Sequence, residues 1–206
     1  MGPLPTAPGA SPYRTKGLTY RATTSHTERT VKGGMSALCA ALPPELGRFA
    51  AQPFLAGSWY DFLPVVPICE RAAELAGIEL ADWLRAASRA AAEEQANGLY
   101  RFLLSLVSDE SIALWIPRLT ERYFDFGVLK SELVAPGHVR LIRTGTPAYA
   151  LEWYRVCGPE YVIAAIEIAR AKRGRVRITS RVIASERDAS SGLDVVSVQF
   201  DCFVHE

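Results

Sequence analysis

A change of hydrophobic period near Gly127 constrains this chain more than any other feature. From Glu79 to Val107 there is no proline, Ala, Leu, Glu and Arg dominate, and Leu80, Trp83, Leu84, Ala87, Ala91, Leu99, Phe102, Leu103 and Leu106 recur at helical spacing. Beyond Gly127 the period is that of strands: Val176, Ile178, Ser180 and Val182 alternate with Arg175, Arg177, Thr179 and Arg181, a half-buried strand. Amphipathic helices followed by amphipathic strands bury both apolar faces by stacking one layer on the other. The pattern predicts an α+β fold, a helical N-terminal layer packed on a mostly antiparallel C-terminal sheet with one inserted helix.

The boundaries follow from punctuation. Residues 1–16, rich in Pro, Gly, Ser and Thr, read as a flexible tail, and 17–206 as a single domain of ordinary size. Leu18 to Thr23 alternates weakly and predicts a short strand. Met35 to Leu42 predicts a helix stopped by Pro43-Pro44, which also suits the start of the next one. Ile68 to Ala76 predicts a helix closed by Gly77, and the long helix from Glu79 has a bend point at Asn97-Gly98. Ser108-Asp109 supplies an N-cap for a further helix, with Ile112, Trp115, Ile116, Leu119 and Tyr123 on one face and a kink at Pro117. Val128–Val134 and Val139–Arg143 read as a hairpin around Pro136-Gly137, with Thr144 to Pro147 leaving the sheet. Gly158-Pro159-Glu160 reads as a helix start, and a loop from Ser185 to Gly192 leads to a last strand, Val195 to Val204.

Composition excludes several roles. Lys+Arg 23 against Asp+Glu 22 gives a formal net charge of +1, no general attraction for nucleic acid or an anionic membrane. No apolar run is long enough to cross a bilayer, and Met1 to Pro12 lacks a secretory pattern, so the expected location is the cytoplasm. Cys39, Cys69, Cys157 and Cys202 form no C-x-x-C pair and sit among apolar neighbours, as reduced core thiols do. There is no Gly-x-Ser-x-Gly, no His-Glu-x-x-His and no phosphate-cradling glycine loop, so neither a metal nor a catalytic residue is expected.

Five groups of residues stand out, four of them with two readings. Glu94 interrupts the apolar stripe of the long helix: it either lines a cavity as a desolvated carboxylate or emerges into solvent to reach Arg101 or Asn97. Glu93, Arg89 and Arg85 form a solvated charge ladder at four-residue spacing. Trp59 and Tyr60, with Asp61, either wall a pocket mouth or seal the chain's entry, Asp61 capping the next helix. Trp115, Arg122, Tyr123 and Phe126 lie where a helix-to-sheet cavity would be, or pack that junction. Arg170, Lys172, Arg173, Arg175, Arg177 and Arg181 either complement a helix end and guard a sheet edge or meet an acidic partner, with Arg173, Arg175 and Arg177 the candidate contacts.

Gly57-Ser58-Trp59-Tyr60-Asp61-Phe62, Trp115-Ile116-Pro117-Arg118-Leu119, Arg122-Tyr123-Phe124-Asp125-Phe126-Gly127, the Pro136-Gly137 turn and Gly158-Pro159-Glu160-Tyr161 together resemble a paralogous family of uncharacterised proteins abundant in myxobacteria. That family is similar in layout to the 4-vinyl reductase domain and the haem nitric-oxide-binding superfamily. The resemblance implies a ligand pocket between helices and sheet, a sensory role, and a homodimer as one assembly. The haem-binding branch carries an axial His in its helical half and a Tyr-x-Ser-x-Arg clamp, and neither stands here: the histidines are His26, His138 and His205. The expectation is therefore a regulatory or sensory module for a small, largely apolar ligand, without haem or another cofactor and without catalysis. The alternatives are a protein-interaction scaffold with a filled core and an enzyme of unknown reaction.

Overall fold

The computed structural model describes residues 3–95, 108–170 and 176–204. Helices precede a four-stranded antiparallel sheet, as the period change predicts. The helical layer comprises α1 (Gly17–Thr30), α2 (Gly34–Ala41), α3 (Pro44–Ala50), α4 (Val65–Ala76) and α5 (Leu80–Gln95). It also holds a two-stranded ribbon of β1 (Arg14–Lys16) and β2 (Trp59–Asp61). Then come α6 (Asp109–Tyr123), the hairpin β3 (Val128–Ala135) and β4 (His138–Pro147), α7 (Leu151–Arg170), β5 (Val176–Arg187) and β6 (Asp194–Val204). The strand order is β3-β4-β6-β5, so β3 and β5 are the edges.

Several boundaries rest on local chemistry. Pro44 opens α3, where its missing N–H costs nothing. Gly77, at φ +67°, closes α4 in the left-handed conformation. The Ser108 side chain accepts the Ser111 amide and caps α6. The turn at Pro136-Gly137 joins β3 to β4.

The structure corrects four expectations. Residues 1–16 are not all tail: Ser11 and Thr15 are fully buried and Tyr13 nearly so. The cause is Asp61, buried on β2, whose carboxylate accepts from the backbone N–H of Gly9, Ser11 and Leu63 and from the Ser11 hydroxyl. A buried carboxylate needs that many donors, and the N-terminal segment supplies most of them. Leu18 to Thr23 belongs to helix α1, not a strand; its buried face is Tyr20, Thr23, His26 and Thr27, helical in spacing but polar in composition. Thr144 to Pro147 stays in β4, which absorbs a bulge between Arg143 and Thr146 with Gly145 at φ +67°. α7 begins at Leu151 and runs through Gly158-Pro159 rather than starting there. The bend expected at Asn97-Gly98 lies outside the described residues.

Two hydrophobic cores result. One fills the helical layer around Tyr20, Leu38, Phe62, Ile68 and Trp83. The other lies between the sheet and its covering helices, around Val139, Leu141, Ile166, Val198 and Phe200. Phe124 and Trp153 pack against both.

Candidate functional site

Where the two cores meet, the packing leaves a cavity of about 210 Å³. Its helical wall is built by Thr23 of α1, Cys69 of α4, and Trp83, Leu84, Ala87, Ser88 and Ala91 of α5. Facing it are Trp153, Tyr154, Cys157 and Ala165 of α7, Thr120 and Tyr123 of α6, and Leu129, Leu141 and Phe200 of the sheet. Alanine on the facing sides of α5 and α7 is what leaves the volume, because packed helices otherwise fill the space between them with longer side chains. Among the described residues no Asp, Glu, Lys, Arg or His lines this space.

Polar side chains stand on both sides of the wall: Thr23, Cys69 and Ser88 on one, and Thr120, Tyr123, Tyr154, Cys157 and Tyr161 on the other. The Thr23 hydroxyl donates to the Thr19 carbonyl at 3.2 Å and lies 3.8 Å from the Cys69 sulfur. Trp153 also hydrogen-bonds Cys69, and Ser88 hydrogen-bonds Cys157. Burial pushes the Cys69 thiol up to about 12 and raises the Cys157 thiol too, so both are protonated at neutral pH. Burial raises the Tyr154 phenol as well.

The nearest buried cation is Arg143 on β4, 1% exposed. Its Nη2 donates to the Phe126 carbonyl, and its Nε has no hydrogen-bond partner among the described residues. The guanidinium lies 5.2 to 5.8 Å from the ring centres of Phe124, Phe126 and Tyr154, and burial lowers its pKa. Phe124 and Tyr154 line the cavity and Arg143 does not, so the rings stand between the charge and the empty space.

Of the residues singled out in the sequence, Tyr123 lines this cavity and Glu94 lines a second, more open pocket against α1 and α2; the others stand elsewhere. Glu94 is not a desolvated carboxylate: it is exposed, accepts from Arg29 at 2.9 Å and from Ser25 of α1, and Arg29 holds it below the usual carboxylate range. Trp59 is exposed with the Lys16 ammonium 3.7 Å from its ring centre. Tyr60 packs on Phe54 and Tyr20, and its hydroxyl accepts the Leu55 amide, so the pair seals the ribbon rather than a pocket mouth. Trp115 is exposed on α6 and Arg122 points to solvent. Arg89 is not part of a solvated ladder; it crosses to α7 and grips Glu160 at 2.6 Å and Glu167 at 2.7 Å. Arg177 is exposed on edge strand β5, stacked over Phe203, while Arg173 and Arg175 lie outside the described residues.

No family model matches the chain, and no curated protein matches it in sequence. Solved structures do match in shape. The Fe(II) unliganded H-NOX protein from K. algicida aligns with a TM-score of 0.58 at 13% identity, covering 93% of this chain and 97% of that one. An oxygen-binding H-NOX domain related to soluble guanylate cyclases aligns at 0.53 and 12% identity, over 91% and 94%. A structure from work on H-NOX activation aligns at 0.54 and 11%, over 92% and 96%. These likenesses extend over nearly the whole chain, and the architecture assembled above is an H-NOX-like α+β fold.

Proposed function

We propose that this chain is a non-enzymatic sensory module that holds a small, largely apolar ligand between its helical layer and its sheet. The observation that carries this reading is the cavity of about 210 Å³ at the junction of the two cores. An engineered cavity of about 150 Å³ with apolar walls binds benzene, so this one accommodates a somewhat larger molecule. The H-NOX-like fold supports a sensory role by analogy, and the resemblance to the myxobacterial paralogous family, whose members have this order of elements, fits the same reading. We place the module in the cytoplasm, consistent with the absence of any described helix long and apolar enough to cross a membrane.

Haem, named for the H-NOX family in one neighbour's description, does not fit these residues. His26 packs edge-on against Trp83 behind the wall, and His138 stacks on Phe203 on the sheet. The two cavity thiols lack the neighbouring positive charge that would make a thiolate ligand, and no cation on the described wall could meet a propionate.

The test is native mass spectrometry with an absorption spectrum of the full-length protein, alongside Ala87→Phe, whose ring occupies the cavity. A reproducible adduct on the wild type that Ala87→Phe lacks is the expected result. Equal spectra from two folded proteins would refute ligand binding and favour a scaffold role. A Soret band would overturn the exclusion of haem.

A further inference from the structure

We infer that the cavity selects a neutral, mostly apolar molecule carrying one hydroxyl or carbonyl group, seated with that group against Thr23, Cys69, Ser88 and Cys157. The inference rests on the ligand-binding reading above and adds the chemical class of the ligand.

Three observations carry it. First, a charged ligand would leave water for a wall on which no described side chain bears an opposite charge, and such a transfer is uncompensated. Arg143 does not repair this, because Phe124 and Tyr154 intervene and its Nη2 is engaged by the Phe126 carbonyl. Second, one polar cluster of the wall draws its members from four helices. Thr23 on α1 touches Cys69 on α4, Ser88 on α5 touches Cys157 on α7, and the two sulfurs are within electrostatic range of each other. The sheet contributes the apolar side chains Leu129, Leu141, Ile178 and Phe200, while Thr120, Tyr123, Tyr154 and Tyr161 of α6 and α7 add further hydroxyl-bearing side chains to the wall. Third, the atoms have complementary capacity left over. The Thr23 hydroxyl spends its proton on Thr19, which leaves oxygen lone pairs to accept from a ligand hydroxyl. The thiols and Ser88 can donate to a ligand hydroxyl or carbonyl oxygen. One small polar group therefore gains hydrogen bonds there, and the remainder of the ligand needs none.

The experiment titrates the full-length protein at pH 7 with four molecules of one skeleton: 4-ethylphenol, ethylbenzene, 4-ethylbenzoate and 4-ethylbenzylammonium. Trp83 and Trp153 on the wall report occupancy by fluorescence, and calorimetry gives the affinity. The phenol is expected to bind about fivefold tighter than ethylbenzene, the value of one net hydrogen bond. The benzoate and the ammonium are expected to bind at least ~100-fold more weakly than the phenol. Thr23→Val and Ser88→Ala should each reduce the preference for the phenol over ethylbenzene without weakening ethylbenzene, a pattern that general loss of structure would not produce. Benzoate or ammonium binding as tightly as the phenol overturns the inference while leaving ligand binding intact, and so does an unchanged phenol preference in both variants. If none of the four binds, or Ala87→Phe binds them equally, the ligand-binding reading fails and this inference with it.

Discussion

Replacing Ala87 by Leu tests whether the space beneath α5 is empty. Ala87 faces the cavity and is 9% exposed, and Leu is nearly as good a helix former as Ala, so the backbone is little affected. The substitution adds three carbons. At about 0.8 kcal/mol per buried methylene, filling empty volume is worth at most ~2.4 kcal/mol. Ordering the leucine side chain returns about 0.5 to 1 kcal/mol of that. A net stabilisation of about 1 to 2 kcal/mol is expected. In a filled core the same change forces neighbours out of their rotamers and costs about 1 to 3 kcal/mol. Ala72, fully buried on α4 and away from the cavity, provides that comparison, and Ala72→Leu should be destabilising. The assay is urea denaturation with the midpoint shift read at unchanged m. If Ala87→Leu lowers the midpoint as Ala72→Leu does, the volume is occupied by protein in solution and the cavity argument falls.

Other perturbations address the frame around the cavity. Gly127 and Gly77 share a left-handed backbone, φ +62° and +67°, but a Cβ at Gly127 would sit 2.2 Å from the Thr144 carbonyl oxygen while Gly77 has open space. Gly127→Ala should therefore destabilise by at least ~2 kcal/mol more than Gly77→Ala, whose cost is the ~1 to 2 kcal/mol of the left-handed conformation; equal costs in denaturation would show that the hairpin simply shifts. Burial, with Arg29 nearby, lowers the His26 pKa, so the unfolded chain takes up the proton first as pH falls below about 6.5 and stability declines there. His26→Phe should flatten the fall in melting temperature between pH 7 and 5, and an undiminished slope would place acid sensitivity elsewhere. Arg89→Met leaves the buried Glu167 without its bridge and should cost about 1 to 3 kcal/mol, an expectation that a double-mutant cycle with Glu167→Gln checks through its coupling energy.

The parts of the fold that were legible are those in which local chemistry and tertiary position agree. The stripe Trp83, Leu84, Ala87, Ala91 is helical in period and faces inward, Gly77 ends a helix, and Pro136-Gly137 turns a hairpin. Illegible parts depend on distant partners. α1 buries Thr23, His26 and Thr27, residues that composition assigns to a surface, because Trp83, Cys69 and the cavity lie against them. The N-terminal segment is anchored by one carboxylate fifty positions away, a contact with no signature in a Pro- and Gly-rich stretch. The site was harder still. Charge and aromaticity single out Glu94, Trp59, Tyr60, Trp115 and Arg122 in the sequence, whereas the wall is made largely of Ala, Leu, Cys, Trp, Thr and Tyr that read as ordinary core. Tyr123 lines the cavity because it stands at the helix-to-sheet junction, a position the order of elements fixes.

A void of this size also has an energetic consequence. At about 24 cal/mol per Å³, a fully enclosed empty space of about 210 Å³ would cost ~5 kcal/mol, an upper bound for this half-open one. A chain avoids such a cost by letting the walls collapse, and here the walls are held apart. Trp83, Phe124 and Trp153 are too large to fold into the gap and are fixed by neighbours: Trp83 by His26, Phe124 and Trp153 by Phe62. Across α5 and α7 the Arg89 fork to Glu160 and Glu167 ties the two helices at a set spacing. With the walls braced in this way, an occupant would restore contacts that the lining lacks. The H-NOX-like fold sets where the space lies, between helices and sheet. On the reading proposed above, the uncharged described wall favours an occupant that brings no charge with it.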